Sequence, residues 1–586
     1  MVEHRKKIDL ISEKNKDNNI DARLKLDLNE NVFGCNKKIL STLRSFDFDK
    51  IAYYADYENL YKKIAQEYNL KKEEITFSNL ELDIISSILN AYLEDDEEIL
   101  SNDLFNESIV NYSILNGKNT QFIVNKEAFL CGENQFIEKI NEKTKIIYIS
   151  NPNSITGSFV PFEQIENLIR TNSNKLFVIN CEYMSFSKNL DFDKFISLIK
   201  NYDNVVVLKS FDKDFAIASL GFCIALADEK IIKNINKLLP RFSLNAFSAF
   251  CALSFLNQKE DIEKIKENND KQKQFLIDEI SKHKIEVLNS DANFVLCNFQ
   301  DKCEFYFNKF KNNGVLTKKF PKDSDFSNYL QIAVATNGAT RYVSKLLEKK
   351  DLLVFCFDNV VFDVRNSYIE AISRTFEYFS GLKISKKDIL NVKNYSKIQN
   401  DWEVAQLLLL DKGYDIEIGR IIDKFQEILS LKSENSIIDN HKLIFSVEIL
   451  EELSVKYDLA LFSEHLKDET IYSLEKYEIL KYFSYIVTSD DLPRNMLKPN
   501  SKGLLEILEK CSFNKVTYFG SSVNDAICAH GANVDFIGIA SSFDDYTNLV
   551  NAFRHHGAKS VLGEVENIIS FLEVNENEID SQAISQ

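Results

Sequence analysis

Residues 204–227 read NVVVLKSFDKDFAIASLGFCIALA. Two apolar runs, NVVVLKS (204–210) and FCIALA (222–227), bracket a short loop that carries Lys213. Runs of this length, rich in β-branched residues, read as strands. Upstream, KIIYIS (145–150) and KLFVIN (175–180) repeat the pattern, with the amphipathic PFEQIENLIRT (161–171) between them. Strands alternating with helices predict an α/β fold. Downstream, two long helical segments are expected near 228–260 and 262–283. Strands at NFVLCNF (293–299) and YLQIAVA (329–335) and a closing helix ending near Lys350 follow.

A second α/β unit starts abruptly at DLLVFCFDNVVFDV (351–364). A helical stretch is expected over 366–450. Strands then return at DLALFS (458–463), YIVTS (485–489), VTYFGSS (516–522) and DFIGIAS (535–541). The chain therefore reads as a module over 1–349 and another over 350–575, with a polar tail at 576–586. Within the first, a larger domain is expected at about 46–245 and a smaller one at about 1–45 plus 246–349. No internal repeat is evident.

Composition sets the outer limits. At 586 residues, 45% hydrophobic and 27% charged, the chain is long enough for several packed cores. No run of about 18 uncharged apolar residues occurs, so no membrane span is expected. The opening MVEHRKKIDLISEKNKDNN is charged and lacks an apolar core, unlike a secretory leader. The ten cysteines are scattered without a CxxC pair, which fits reduced, buried thiols and a cytoplasmic setting. A net charge of −18 argues against nucleic acid or anionic membrane as partner.

Six stretches of the first module, in order, carry a resemblance: LDLNENVFG (26–34), YYAD (53–56), NPNSITG (151–157), NCEYMSF (180–186), LKSFDKDFAIASLGF (208–222) and YLQIAVA (329–335). Together they resemble histidinol-phosphate aminotransferase, a fold-type I enzyme dependent on pyridoxal phosphate (PLP), over about residues 20–349. The resemblance implies that Lys213 holds the Schiff-base position and Tyr183 the ring hydroxyl. It places Tyr54 toward a partner subunit's cofactor phosphate and Phe105 near the stacking position over the ring. Asn29, Glu30 and Asn31 also match. Several charge-bearing positions depart from the family. Asn180 replaces the Asp that keeps the pyridine nitrogen protonated, and Ser154 replaces an Asn beside the ring hydroxyl. The phosphate turn reads Ser78-Asn79-Leu80-Glu81 in place of a Gly-rich sequence. Asp212 stands where a Ser precedes the lysine, Gly221 where an Arg binds phosphate, and Gln331 where an Arg anchors substrate. At ~4 Å and an effective dielectric near 20, each carboxylate facing a phosphate costs about 4 kcal/mol.

Residues 352–572 resemble HAD-superfamily hydrolases with a helical cap after the first motif, here about 366–450. The resemblance implies a Rossmann-like sheet carrying four motifs. VFCFDNVVFD puts Cys356 at the nucleophile position and Asp358 at the acid/base position. LALFSEH supplies Ser463, and MLKPNSKGLLEIL supplies Lys498. GSSVNDA keeps Asp525 but has Ser521 where the family has its first Asp. A thiol is a poor ligand for Mg²⁺, a hard ion that prefers oxygen, so no metal is expected here. Cys356 reads as a buried structural thiol with no evident base beside it, and His465 as a surface or supporting histidine.

The sequence-based expectation is a fusion of two modules that keep their folds without the ordinary reactions, serving as scaffold, regulator or partner subunit. PLP is what the ancestry implies, and the replaced phosphate anchors weigh against it. The rivals are an active, rewired PLP enzyme, with Lys209 as a substitute phosphate anchor, and a protein that binds a small unphosphorylated ligand. The family resemblance implies a homodimer, or a heterodimer with an intact aminotransferase paralogue.

Overall fold

The computed structural model describes residues 22–104, 106–116, 119–123, 132–256, 259–395, 401–429, 437, 441–540 and 546–574. Phe105 and the polar tail at 576–586 lie outside the described residues. The chain divides into two compact units: Met1–Cys303 with Asn313–Glu348, and Glu304–Asn312 with Lys349–Gln586. The helix Cys303–Asn312, read from sequence as part of the first module, thus groups almost entirely with the second unit. There Lys309 Nζ meets Asp458 Oδ2 at 2.7 Å.

In the first unit, seven strands form one sheet in the order Ile75–Ser78, Cys223–Ala227, Val205–Ser210, Leu176–Asn180, Thr144–Ser150, Glu98–Ser101, Asn119–Phe122. Cys223–Ala227 runs antiparallel to the other six strands. Side chains alternate across a strand, so each strand feeds two cores. Ile147, Ile149, Phe177, Ile179 and Val207 pack on one face, and Ile146, Tyr148, Leu176, Val178 and Val206 on the other. Burial on both faces is why these strands read as unbroken apolar runs.

A smaller five-stranded sheet runs Leu24–Leu26, Val315–Lys319, Tyr329–Ala333, Phe294–Asn298, Glu286–Leu288. The helices before it depart from the sequence expectation. Three occur where two long segments were expected: Glu229–Leu238, Ala246–Phe255 and Lys259–Ser281. Pro240 follows the first, and proline cannot continue a helix. Asn245 starts the second, its side chain accepting the Ser248 N–H at 2.9 Å as an N-cap.

The second unit holds a six-stranded, wholly parallel sheet ordered Phe483–Val487, Asp458–Phe462, Lys350–Cys356, Phe513–Gly520, Asp535–Ile539, Ser560–Leu562. The cap is shorter than expected. Helices Arg365–Ser380, Lys386–Tyr395, Asp401–Asp411 and Ile418–Leu429 share one apolar core through Ile372, Ile389, Leu409 and Phe425. Lys442–Leu443 then pairs antiparallel with Phe362–Asp363, and the helix Val447–Lys456 packs on the strand Asp458–Phe462. No helix among the described residues is long and apolar enough to cross a membrane. The described cysteines are buried free thiols apart from half-buried Cys35.

Residues 211–222 join two central strands of the first unit, and the Phe211 N–H closes the loop on the Phe222 carbonyl at 2.9 Å. Beneath the loop, Lys209 and Asp214 form an ion pair of 2.8 Å with side chains 2% and 0% exposed. Lys209 Nζ also donates to Ser185 Oγ at 2.9 Å and to the Cys181 and Glu182 carbonyls at 3.3 Å. Removing one member of a buried pair strands the other charge, so Lys209→Met is expected to cost about 3–5 kcal/mol in urea unfolding. Lys62→Met, at the exposed Lys62–Glu58 pair, should cost less than about 1 kcal/mol. Equal losses at the two positions would mean that Lys209 does not anchor the loop.

Candidate functional site

Lys213 projects from the loop above this buried pair. Its Nζ lies 2.5 Å from Glu182 Oε1 and 2.8 Å from Tyr183 Oη, with 16% of the side chain exposed. The Leu176–Asn180 strand and the turn after it deliver both partners. Tyr183 Oη also accepts from Asn29 Nδ2 at 3.2 Å, and Asn29 Nδ2 lies 2.9 Å from Gln331 Oε1. Gln331 is fully buried, and its Nε2 donates to the carbonyls of Ser154 and Ile155 at 2.9 Å. Ser154 Oγ donates to Asp103 Oδ1 at 2.8 Å. The structure therefore gathers Lys213, Tyr183, Asn180 and Ser154 around one centre, together with Glu182, Glu81 and Asp103.

Carboxylates dominate that centre. Asn180 Nδ2 donates to Glu81 Oε1 at 3.1 Å and to Tyr148 Oη at 2.9 Å, while its Oδ1 accepts the Glu182 N–H. Burial, followed by the neighbouring Glu182 charge, pushes the Glu81 carboxyl well above the ordinary range. Burial also raises Asp212 to about 7, against the N–H of Phe222 that it accepts at 2.7 Å. Burial works to lower Lys213, but the Glu182 charge and the Tyr183 hydroxyl outweigh it and hold the ammonium above the usual lysine range. Lys213 is thus a charged partner at neutral pH, with no free lone pair.

The turn before Glu81–Tyr92 is built for its own side chains. Glu81 and Asp83 fill the first turn of that helix, where the backbone dipole favours negative charge. Ser78 Oγ donates to Asp83 Oδ2 at 3.0 Å. Asn79 faces the other way: its Nδ2 lies 2.6 and 2.8 Å from the Leu220 and Gly221 carbonyls. Gly221 has φ +68°, and a Cβ there would sit 2.5 Å from the Asn79 carbonyl oxygen. No side chain, arginine included, fits at 221 without moving that backbone. Lys209 is held in its buried pair, so it does not supply a substitute anchor. Tyr54 is 79% exposed and stacks on Phe242 with ring centroids 4.0 Å apart.

In the second unit, the ends of Lys350–Cys356, Asp458–Phe462 and Phe513–Gly520 meet where open parallel sheets usually place their sites. Lys498 Nζ sits 2.8 Å from Asp525 Oδ1 and 3.3 Å from Cys356 Sγ. A nitrogen does stand beside the thiol, but burial lowers and Asp525 more than restores the lysine's affinity for its proton. It is a cation and not a base. Burial keeps Cys356 well above the ordinary thiol range. Every side of Asp525 is engaged: Tyr518 Oη at 2.6 Å on Oδ1, and the N–H groups of Ser521 and Ser522 and Ser522 Oγ on Oδ2. Ser463 Oγ lies 2.9 Å from Thr470 Oγ1 and accepts the His465 N–H.

Of the two sequence readings of His465, at the surface or in support, the structure agrees with the second. The histidine is buried, with Nε2 2.7 Å from Asp358 Oδ1 and 2.8 Å from Tyr368 Oη. Burial alone would lower it, but the Asp358 charge and hydrogen bond raise it to about 10. Asp358, in turn, is raised by burial and lowered further by His465, to a net value below the ordinary range. Held ionised, Asp358 has no proton to give as a general acid.

Residues 23–339 match the family model described as aminotransferase class I and II. The chain belongs to that family. Residues 353–539 of this aminotransferase-family chain match the model described as haloacid dehalogenase-like hydrolase, so its second module is HAD-like. Among curated relatives, the histidinol-phosphate aminotransferase of Pelagibacter ubique is 28% identical over 331 residues, 55% of this chain and 91% of that protein. The histidinol-phosphate aminotransferase of Methanocaldococcus jannaschii is 28% identical over 334 residues, 56% and 88%. The Sinorhizobium meliloti histidinol-phosphate aminotransferase, solved in complex with pyridoxal-5'-phosphate, superposes with a TM-score of 0.51 at 15% identity, covering 56% of this chain and 90% of that one. At that identity the likeness concerns fold.

Within this aminotransferase-family frame, the residues the sequence did not single out are Glu182, Asp103 and Tyr148 at the first centre and Tyr368 at the second. Glu182 lay in plain view between Asn180 and Tyr183. Its partnership with Lys213 arises only because adjacent strands bring the two together.

His465 is raised from 6.5 to about 10, so its stabilising contribution is complete below the lower value and lost as pH rises through the upper one. His465→Gln should flatten the fall in melting temperature across that interval. Asp212 is raised from 3.8 to about 7, so ionising it weakens the fold as pH rises through that window. Asp212→Asn should melt higher than the parent chain above the upper value and show no advantage below the lower one.

Proposed function

We propose that this aminotransferase-family fusion no longer performs its ancestral reactions and acts through its two folds, as a partner or scaffold subunit. The observation that carries this reading is the Lys213–Glu182 pair at 2.5 Å inside a carboxylate-rich centre. PLP brings a phosphate dianion and a pyridine nitrogen, and its chemistry is that of an electron sink. The phosphate would approach a helix start already occupied by Glu81 and Asp83, beside Asp212, with Gly221 closed to an arginine. The nitrogen would meet the Asn180 amide, which already donates to Glu81. The residues present do not fit the cofactor.

The HAD-like module supports the same reading. Asp525 accepts from several donors, and among the described residues no three His, Cys, Asp or Glu side chains cluster to hold a metal. Lys498 is paired and Asp358 is locked to His465. Phosphoryl transfer through a Mg²⁺-bound aspartate has neither its aspartate nor a free ligand set. We further infer a cytoplasmic chain that associates with a second copy or with an intact aminotransferase paralogue. Exposed Tyr54 is the residue for such a contact.

The proximity of Lys213 to Tyr183, at 2.8 Å, favours one rival reading: a rewired PLP-dependent aminotransferase acting on a histidinol-phosphate-like amino substrate. One experiment separates them. The purified chain, incubated with excess PLP, should show no visible absorbance band beyond that of the Lys213→Ala variant. A band that depends on Lys213, with amino transfer from any donor, would establish the rival. With Mg²⁺, the chain should also leave an aryl phosphate unhydrolysed.

A further inference from the structure

The strand Phe483–Val487 ends the six-stranded sheet of the second unit, and among the described residues no further strand pairs with its outer side. The Val487 carbonyl accepts the Ser463 N–H at 2.9 Å, so Val487 faces the neighbouring strand. Along a parallel strand the N–H and C=O of one residue share a side, and successive residues alternate. Ser484 and Ile486 therefore turn theirs outward. Outward groups of this kind are a template for pairing with another chain unless something covers them.

Here the cover is a helix. Cys303–Asn312 contributes residues 304–312 to this unit. Asn308 Nδ2 donates to the outward Ser484 carbonyl at 3.2 Å, and Asn312 Nδ2, one turn further, to the Phe483 carbonyl at 3.1 Å. The register slips at the same place: Leu459 lies opposite Phe483 but Ala460 opposite Tyr485, so Ser484 is an extra residue. A bulge residue has no ladder partner, and Asn308 satisfies its carbonyl from the side. Ser484 is 5% exposed in consequence, although it stands at the edge of a sheet. The helix is anchored there by Lys309, whose Nζ meets Asp458 Oδ2 at 2.7 Å with both side chains buried.

We propose that helix Cys303–Asn312 is a strap that closes this sheet edge against strand pairing with a second copy of the chain. Asn308 occupies the carbonyl that an incoming strand would need, and the Lys309–Asp458 pair holds it in place. The strap is independent of the chemistry at either centre and of the surface that carries Tyr54.

The test uses the full chain. Lys309→Met leaves Asp458 buried alone and frees the strap, so hydrogen exchange of peptides covering 483–487 should rise about tenfold or more. Exchange in the central strand Lys350–Cys356 should stay at the parent value, which separates an opened edge from a lost fold. Sedimentation over about a hundredfold range of concentration should show Lys309→Met associating one step beyond the parent chain. Adding Ile486→Pro, which removes an outward N–H that the sheet does not use, should restore the parent's size. Asn308→Leu keeps the buried ion pair and should shift exchange and association in the same direction by less. Unchanged exchange at 483–487 or an equal rise in the central strand would overturn the proposal. So would an opened edge without added association, or association that survives Ile486→Pro.

Discussion

The ion pair between Lys209 and Asp214 is the constraint on which the first unit turns. It lies under the loop that links two central strands, and it fixes where Asp212 and Lys213 emerge. Two charges at that depth persist only because each is met by further partners: Ser185 and two carbonyls for the lysine, Ser185 again for the aspartate. Asn31 adds a side-chain hydrogen bond to the Asp214 carbonyl at 3.3 Å, tying the segment that carries Asn29 to the same loop. The ring of contacts from Asn29 through Tyr183 to Lys213 and Glu182 rests on that foundation.

Both modules treat their remaining charged groups in one way. In each, the cations at the centre face carboxylates of the same chain: Lys213 meets Glu182, Lys498 meets Asp525, and His465 meets Asp358. Internal pairing of this kind lowers the cost of burying each charge. The two centres are far apart in sequence and built on different sheets, yet they have arrived at the same electrostatic arrangement.

The sequence made the strands legible because both faces of each sheet are buried, so runs such as VVVL and LLVFC leave little other reading. The helix breaks near Pro240 and Asn245 are equally written in residue type, by a proline and an N-cap asparagine. The site was legible in part. Lys213, Tyr183, Asn180 and Ser154, named from sequence, lie around one centre. What the sequence hid was pairing across distance. Glu182 and Lys213 stand 31 positions apart, and Asp358 and His465 stand 107 apart. Nothing in residue type announces that such groups cancel one another. Burial was hidden for the same reason: His465 sits in a polar stretch, SEH, that reads as surface until the cap residue Tyr368 is seen against it.

Gly221 has one more consequence. Its left-handed backbone and the Asn79 carbonyl 2.5 Å from where a Cβ would stand mean that the turn and the glycine fit only each other. An arginine appearing at 221 by chance would meet a backbone shaped around its absence, and a change at the turn alone would find no arginine to welcome. An arginine at this position therefore needs coordinated changes in two segments, each unfavourable without the other.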